Sequence, residues 1–348
     1  LHSLRRRQRQ MCIRDSGLII EHYLRTGEPI GSKTLCQLLP YSISSATIRN
    51  EMAYLTQLGF LEQRHTSGGR VPSKASYRYY VDNIMQEKPI SKYETDKINE
   101  ALSVNSGDPE RLLADACKLL EEYSHCAAFC ATLEDPYDCI QGVDLIPAGN
   151  QKAMLVMLTV GSKIKSSLIN MPCALDEDFR KKFYEVSAKF LTGTPLTNVN
   201  LALIQSAVGV AGERILDMLP ALSSLCALCN EASHSKLTLE GETNLLSHSE
   251  LGSDLYKILG LLTEKKQLME LSKSFANSNS KQLLLIGDEN PIYEMKNTST
   301  VIAKYNYEGG QKAVLGVIGS MRIDYESILP RINYIINTVD TLLSKKGA

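Results

Sequence analysis

The run Ser44-Ser45-Ala46-Thr47-Ile48-Arg49-Asn50-Glu51-Met52-Ala53-Tyr54-Leu55-Thr56-Gln57-Leu58-Gly59 reads as one short helix with both ends marked. A hydroxyl at Ser44 can accept from the free N–H groups of a first helical turn, which makes it a good N-cap. Ile48, Met52, Leu55 and Leu58 follow at spacings of four, three and three, so all four fall on one face and predict a buried stripe. The opposite side offers Ser45, Thr47, Arg49, Asn50 and Tyr54, short polar groups first and then a guanidinium and an amide. Gly59 supplies the C-terminal cap.

Two shorter helical patterns lie upstream. Leu18, Ile19, His22 and Tyr23 end at the breaker Thr26-Gly27-Glu28-Pro29, after which Ser32 is placed to cap a helix carrying Leu35, Leu38 and Leu39. Downstream, Phe60 to His65 and Arg70 to Pro72 are extended segments around Thr66-Ser67-Gly68-Gly69, and a Gly-Gly turn can take the positive φ of a hairpin. Three helices and a hairpin predict a winged helix-turn-helix, whose third helix enters the major groove while the hairpin lies along the backbone. Ser45, Thr47, Arg49 and Asn50 would then face base edges. Arg64, His65, Arg70, Lys74 and Arg78, with Gly68 and Gly69 at the wing, would meet phosphates or the minor groove. From Arg49 to Arg78 five basic residues stand against Glu51 and Glu62, a local balance of +3, although residues 17–87 are only +1. Winged domains also bind proteins, and the pattern alone leaves both readings open.

The rest of the chain is of another kind. Residues 73–87 predict a helix with Tyr77, Tyr80, Val81 and Ile84 on one face, and the polar stretch 88–110 reads as a linker with a helical piece near Glu94 to Leu102. After an amphipathic helix at Arg111 to Tyr123 come strand-like runs at Cys126 to Leu133, Ile140 to Leu145, Ala153 to Val160 and Ile164 to Asn170. Strands resume at Gln282 to Ile286, Ser299 to Tyr305 and Ala313 to Ile318, before a final helix at Tyr325 to Leu343. Strands at both ends predict one α+β sheet domain interrupted by a mostly helical piece at 174–280, whose long apolar stretch Leu201 to Cys229 is expected to break at Pro220 and to supply an interface.

Length and composition bound the function. The 348 residues are 43% hydrophobic and 22% charged, which fits a folded multidomain chain and excludes disorder or collagen-like repeats. The longest uninterrupted apolar run, Ala153 to Leu158, has the length of a strand, so no membrane association is expected. Residues 1–16 hold five arginines and one aspartate, and Met11 to Ser16 back-translates into a transposon-adapter sequence. The segment is therefore read as non-native, and without its +4 the formal charge of −1 becomes about −5 for 17–348. A nucleic-acid role must then rest on the local basic cluster.

Nine scattered cysteines read as buried thiols of a cytosolic protein. Cys226 and Cys229 have CxxC spacing without a second ligand pair, so no metal is expected, and a thiol sensor is the reading they leave open. No nucleotide-binding, zinc-protease or nucleophile-elbow motif stands in its required context, so no catalytic residue and no cofactor are expected. Asp288-Glu289-Asn290 reads as a loop after a strand.

The residues Ser44 to Met52, Leu58 to Gln63, His65-Thr66-Ser67, Gly69 to Pro72 and Tyr77 to Asp82 resemble the heat-inducible transcription repressor family HrcA. Ile286-Gly287-Asp288-Glu289-Asn290-Pro291 and Gly316 to Tyr325 are similar to that family's two C-terminal signatures, so the resemblance runs from about Gly17 to the end. Gly69, Ser73 and Ser76 stand where the family pattern has Ala, Thr and Gly. The resemblance implies a winged helix at 17–87, a linker at 88–110, a GAF-like domain at 111–173 with 281–348, and an inserted dimerising domain at 174–280. It further implies a homodimer on an inverted-repeat DNA operator upstream of chaperonin genes, released by heat, with a GroEL-type chaperonin as helper. A rival reading keeps the winged helix but makes the GAF-like domain a sensor for a small effector.

Overall fold

The computed structural model describes residues 17–63, 69–149, 151–307 and 311–344. The chain is α+β, with helices, one two-stranded hairpin and two larger antiparallel sheets.

At the N-terminal end, α1 (17–26), α2 (Ser32–Leu38) and α3 (Ser45–Gln57) precede the hairpin β1 (Leu61–Glu62) and β2 (Val71–Pro72). Ile19, Ile30, Leu35, Leu39, Ile48, Met52, Leu55 and Leu61 form a small separate core among them. Ser44 caps α3 by accepting from the Thr47 N–H at 3.1 Å. At the other end Gly59, at φ +80°, lets its own N–H reach the Thr56 carbonyl and the Phe60 N–H reach that of Leu55, the paired bonds of a Schellman cap. Two expectations fail locally. Gly31 is the N-cap of α2, with Ser32 its first helical residue, and Leu58 is 52% exposed, because the stripe leaves the core once the chain turns into the cap.

Helix α4 (Lys74–Asn83), capped by Ser73, leads to α5 (Lys92–Val104) and α6 (Pro109–Ser124). The expected linker is thus largely a packed helix. Ser91 and Glu94 close a capping box, and Ile98 and Leu102 are fully buried.

A five-stranded sheet runs in the order β7 (Lys236–Glu240), β3 (Ala127–Thr132), β10 (Gln311–Ser320), β9 (Thr298–Tyr307) and β8 (Gln282–Ile286). Alternation splits its side chains between two layers. Ala128, Cys130, Val301, Ala303, Leu315 and Val317 face α6 and α12 (Tyr325–Ser344), whereas Phe129, Ile302, Val314 and Ile318 face α10 (Asp254–Glu264) and α11 (Lys266–Ala276). Ile20, Tyr23, Tyr77 and Tyr80 of α1 and α4 join the first layer, so the N-terminal unit packs onto the sheet's helical flank.

The expected single sheet does not include the strands at 140–170. β4 (Ile140–Pro147), β5 (Lys152–Thr159) and β6 (Ile164–Asn170) form a three-stranded sheet of their own and share a core with α7 (Glu177–Val186), α8 (Leu201–Ala211) and α9 (Ile215–Ser233). The piece set between strands of the five-stranded sheet therefore spans about 134–235, and β7, α10 and α11 return to the main sheet. The stretch 201–233 contains an 18-residue window apolar enough, by composition, for a membrane span. It breaks at Gly212–Arg214 rather than at Pro220, and Ile204, Ala207, Met218, Leu222 and Leu225 fill the second core.

Candidate nucleic-acid interface

Ile48, Met52 and Leu55 anchor α3 in the N-terminal core and so turn its other side outward. Thr47, Arg49 and Asn50 are exposed there, along with Tyr54 at 51%. Arg49 makes no ion pair among the described residues, so a guanidinium and an amide stand together on an open helix face. Ser45 differs from the other three. Its hydroxyl lies 3.0 Å from that of Ser32 in a half-buried hydrogen bond that ties α3 to α2. The Thr47 hydroxyl is 2.8 Å from Ser44 Oγ, within the cap.

Beside this face the hairpin pairs Leu61 with Pro72 and Glu62 with Val71, and Ile30 bridges to Arg70 as a third extended segment. Gly69 is needed here for space rather than for a positive φ, because a Cβ would lie 2.6 Å from the Ile30 carbonyl oxygen. Arg70 donates from Nε to Thr56 Oγ1 at 3.1 Å, which ties the hairpin to α3. Ser73 donates to the Gly59 carbonyl at 2.6 Å and Ser76 to that of Phe60, so both serines that depart from the family pattern fasten α4 to the turn after α3. Arg64, His65 and Gly68 lie outside the described residues.

The two basic residues of α4 are engaged elsewhere in the chain. Lys74 Nζ lies 2.8 Å from Asp288 Oδ1. Arg78 donates from Nε to Glu289 Oε1 at 2.8 Å and from Nη2 both to Glu289 Oε2 and, at 2.6 Å, to the Leu284 carbonyl. Bound to this guanidinium, the Glu289 carboxyl is held below the usual carboxylate range, and the same bonds raise the Arg78 pKa further. The expected phosphate contacts thus fall into three groups: a tip outside the described residues, an arginine bound to α3, and two cations paired with the loop after β8. The residues that sequence reasoning missed are the partners Ser32, Thr56, Asp288 and Glu289. Capping rules cover only near neighbours, whereas Lys74 and Asp288 are separated by more than two hundred positions.

For the rival effector reading, a cavity of about 540 Å³ lies where the inserted piece meets the main sheet. Its lining includes Glu110, Lys163, Lys165, Glu231, His234 and Lys236. Lys163 already pairs with buried Asp138 at 3.4 Å, and Lys165 with Glu110 and Glu231 at 3.0 and 3.5 Å, so these charges are compensated within the chain. Cys226 and Cys229 sit on α9, where burial pushes both thiols up, Cys229 to about 12. No cluster of three metal-ligating side chains occurs among the described residues.

Residues 110–329 match the family model described as "HrcA protein C terminal domain". A heat-inducible transcription repressor HrcA of Lachnoclostridium phytofermentans is 31% identical over 94% of this chain and 95% of its own length. One from Acetivibrio thermocellus is 30% identical over 91% of each. A crystal structure titled only as a hypothetical protein shares the fold, with a TM-score of 0.72 at 21% identity over 96% of this chain and 98% of its own. The chain belongs to the HrcA family of heat-inducible transcription repressors.

Proposed function

We infer that this chain represses heat-shock genes by binding an inverted-repeat operator as a homodimer and leaving it on heating. The reading rests on one observation above all: α3 presents Thr47, Arg49 and Asn50 on an open face beside a hairpin, held there by the Ile48–Met52–Leu55 anchor. In this reading residues 17–87 are a winged helix-turn-helix that reads the major groove, with the wing on the backbone. The five-stranded sheet with its helices is the GAF-like domain. A GroEL-type chaperonin that keeps the repressor folded belongs to the same reading through the family resemblance alone.

The inserted piece supports the dimer. Ile146, Met154 and Leu168 are paired in register across β4, β5 and β6, and all three side chains are exposed on the face turned away from the second core. On its helices Leu201, Val208, Leu216 and Leu219 are exposed as well. So much uncovered apolar surface on one small unit is characteristic of an interface. A two-fold pair would place two α3 helices on the two halves of a palindrome, which roughly doubles the binding free energy before the cost of orienting the domains.

Sedimentation and anisotropy titration of a chain beginning at Gly17 test this reading. The expected result is two chains per inverted-repeat duplex and much weaker binding to a single half-site. Leu216→Glu combined with Met154→Glu should give monomers with half-site affinity only. A monomeric wild type that binds half-site and full site alike would contradict it.

A further inference from the structure

Lys74 and Arg78 form a pair of cations one helical turn apart on α4, directly after the hairpin. Asp288 and Glu289 meet them as two successive acidic side chains on the loop after β8. An arginine fork binds a carboxylate and a phosphate with the same two-pronged geometry. Four of the five Arg78 N–H donors are engaged in this conformation, with Nε and Nη2 on Glu289, Nη2 also on the Leu284 carbonyl, and Nη1 3.4 Å from Asp82. Its two-pronged Nε–Nη2 edge can take a phosphate only by releasing Glu289.

The loop is shaped for the contact. Gly287 has φ +60°, and a Cβ there would lie 2.8 Å from Lys74 Cδ, so the loop closes over the lysine stem only because this position has no side chain. Asn290 fixes the far end of the loop by donating to the Gly287 and Thr298 carbonyls at 3.1 and 3.0 Å. Glu289 also accepts from the Ile286 N–H at 2.9 Å, so its carboxylate is positioned before Arg78 arrives.

Other contacts hold the N-terminal unit against the sheet domain without using these cations. Tyr80 donates to Glu326 at 2.6 Å, Lys88 lies 3.3 Å from Asp324, Arg322 donates to the Leu24 carbonyl at 3.3 Å, and Tyr77 is buried beside Tyr325. The acidic clasp is therefore separable from the docking of the two units.

We propose that the Asp288–Glu289 loop is an intramolecular competitor of the DNA backbone, occupying Lys74 and Arg78 in the unbound repressor and yielding them to operator phosphates. The inference rests on the reading of the N-terminal unit as a DNA-binding winged helix and adds a regulator of that site. Such a clasp lowers operator affinity by the factor with which it populates the closed form, so weakening it tightens binding.

The test is the operator affinity of the full chain carrying Asp288→Asn, Glu289→Gln and both, beside the wild type. Asp288 is exposed, so Asp288→Asn leaves the fold intact even if Glu289→Gln, which touches the loop backbone, does not. Asp288→Asn should bind about threefold tighter and the double variant on the order of tenfold tighter. In a chain that also carries Lys74→Ala and Arg78→Ala, the gain should vanish. Unchanged or weaker binding by folded Asp288→Asn, or a gain that survives loss of both cations, overturns the clasp. Failure of the wild type to bind the operator at all overturns the DNA-binding reading instead.

Discussion

The hydroxyls of Ser32 and Ser45 lie 3.0 Å apart, so the first turns of α2 and α3 are joined by a single half-buried hydrogen bond. This relationship changes the role of Ser45. A hydroxyl already used to set the angle between two helices is a poor reader of bases.

Ser45→Ala is expected to cost about 0.5–1.5 kcal/mol of stability, the worth of one such bond, while leaving base preference unchanged. Urea melts and a selection from randomised half-sites check both halves. An unshifted melt together with altered base preference would return Ser45 to the groove-facing set.

Gly69→Ala should disturb the hairpin at its base, because the new methyl would overlap the Ile30 backbone that bridges to Arg70. A loss of about 1–3 kcal/mol is expected from the forced shift, with weaker binding to every duplex. Equal stability and equal affinity would show that the bridge yields without cost.

What could be read in advance divides by distance along the chain. The Ser44 cap, the Gly59 terminus and the Ile48–Met52–Leu55 anchor depend on neighbours within a turn or two, and the structure has each of them. Leu58 satisfied the spacing but sits in the cap, where the helix no longer faces the core. Strands β3 and β5 both carry uninterrupted apolar runs, yet they join different sheets, because strand partners are set by tertiary packing and not by periodicity. A helical piece within 88–110 was legible, but the polar composition hid its packing on α6 and α12 through the buried Ile98 and Leu102. Lys74 and Arg78 were legible as cations near a wing. Their engagement by Asp288 and Glu289 was not.

The eight cysteines among the described residues should separate into two classes. Cys117, Cys126, Cys130 and Cys229 are buried, and burial pushes the Cys126, Cys130 and Cys229 thiols up to about 12, so they stay protonated at neutral pH and react only after unfolding. Cys36, Cys139, Cys173 and Cys226 should label first with iodoacetamide, as read by mass spectrometry. Operator release by mild oxidant that Cys226→Ser abolishes would instead support the thiol-sensor reading.

Acid should loosen the packing of α5 on α12. Glu94 accepts from the Ser91 N–H at 3.0 Å and from Arg331 at 3.0 and 2.7 Å, and these bonds hold its carboxyl down to about 2 against an ordinary 4.5. The unfolded chain takes up this proton first as the pH falls, so the contribution is complete above 4.5 and is lost progressively between 4.5 and 2. Stability curves for Glu94→Gln should lie below wild type at neutral pH and converge on it in acid. A constant gap at every pH would mean that Glu94 contributes through packing alone.

The measurement closest to the central claim is the affinity of Arg49→Ala for the natural inverted repeat and for repeats altered one base pair at a time. The account predicts a loss of about 1–3 kcal/mol on the natural site and a flattened preference at one position in each half-site. Wild-type affinity with unaltered preference at every position would mean that the open face of α3 does not read DNA.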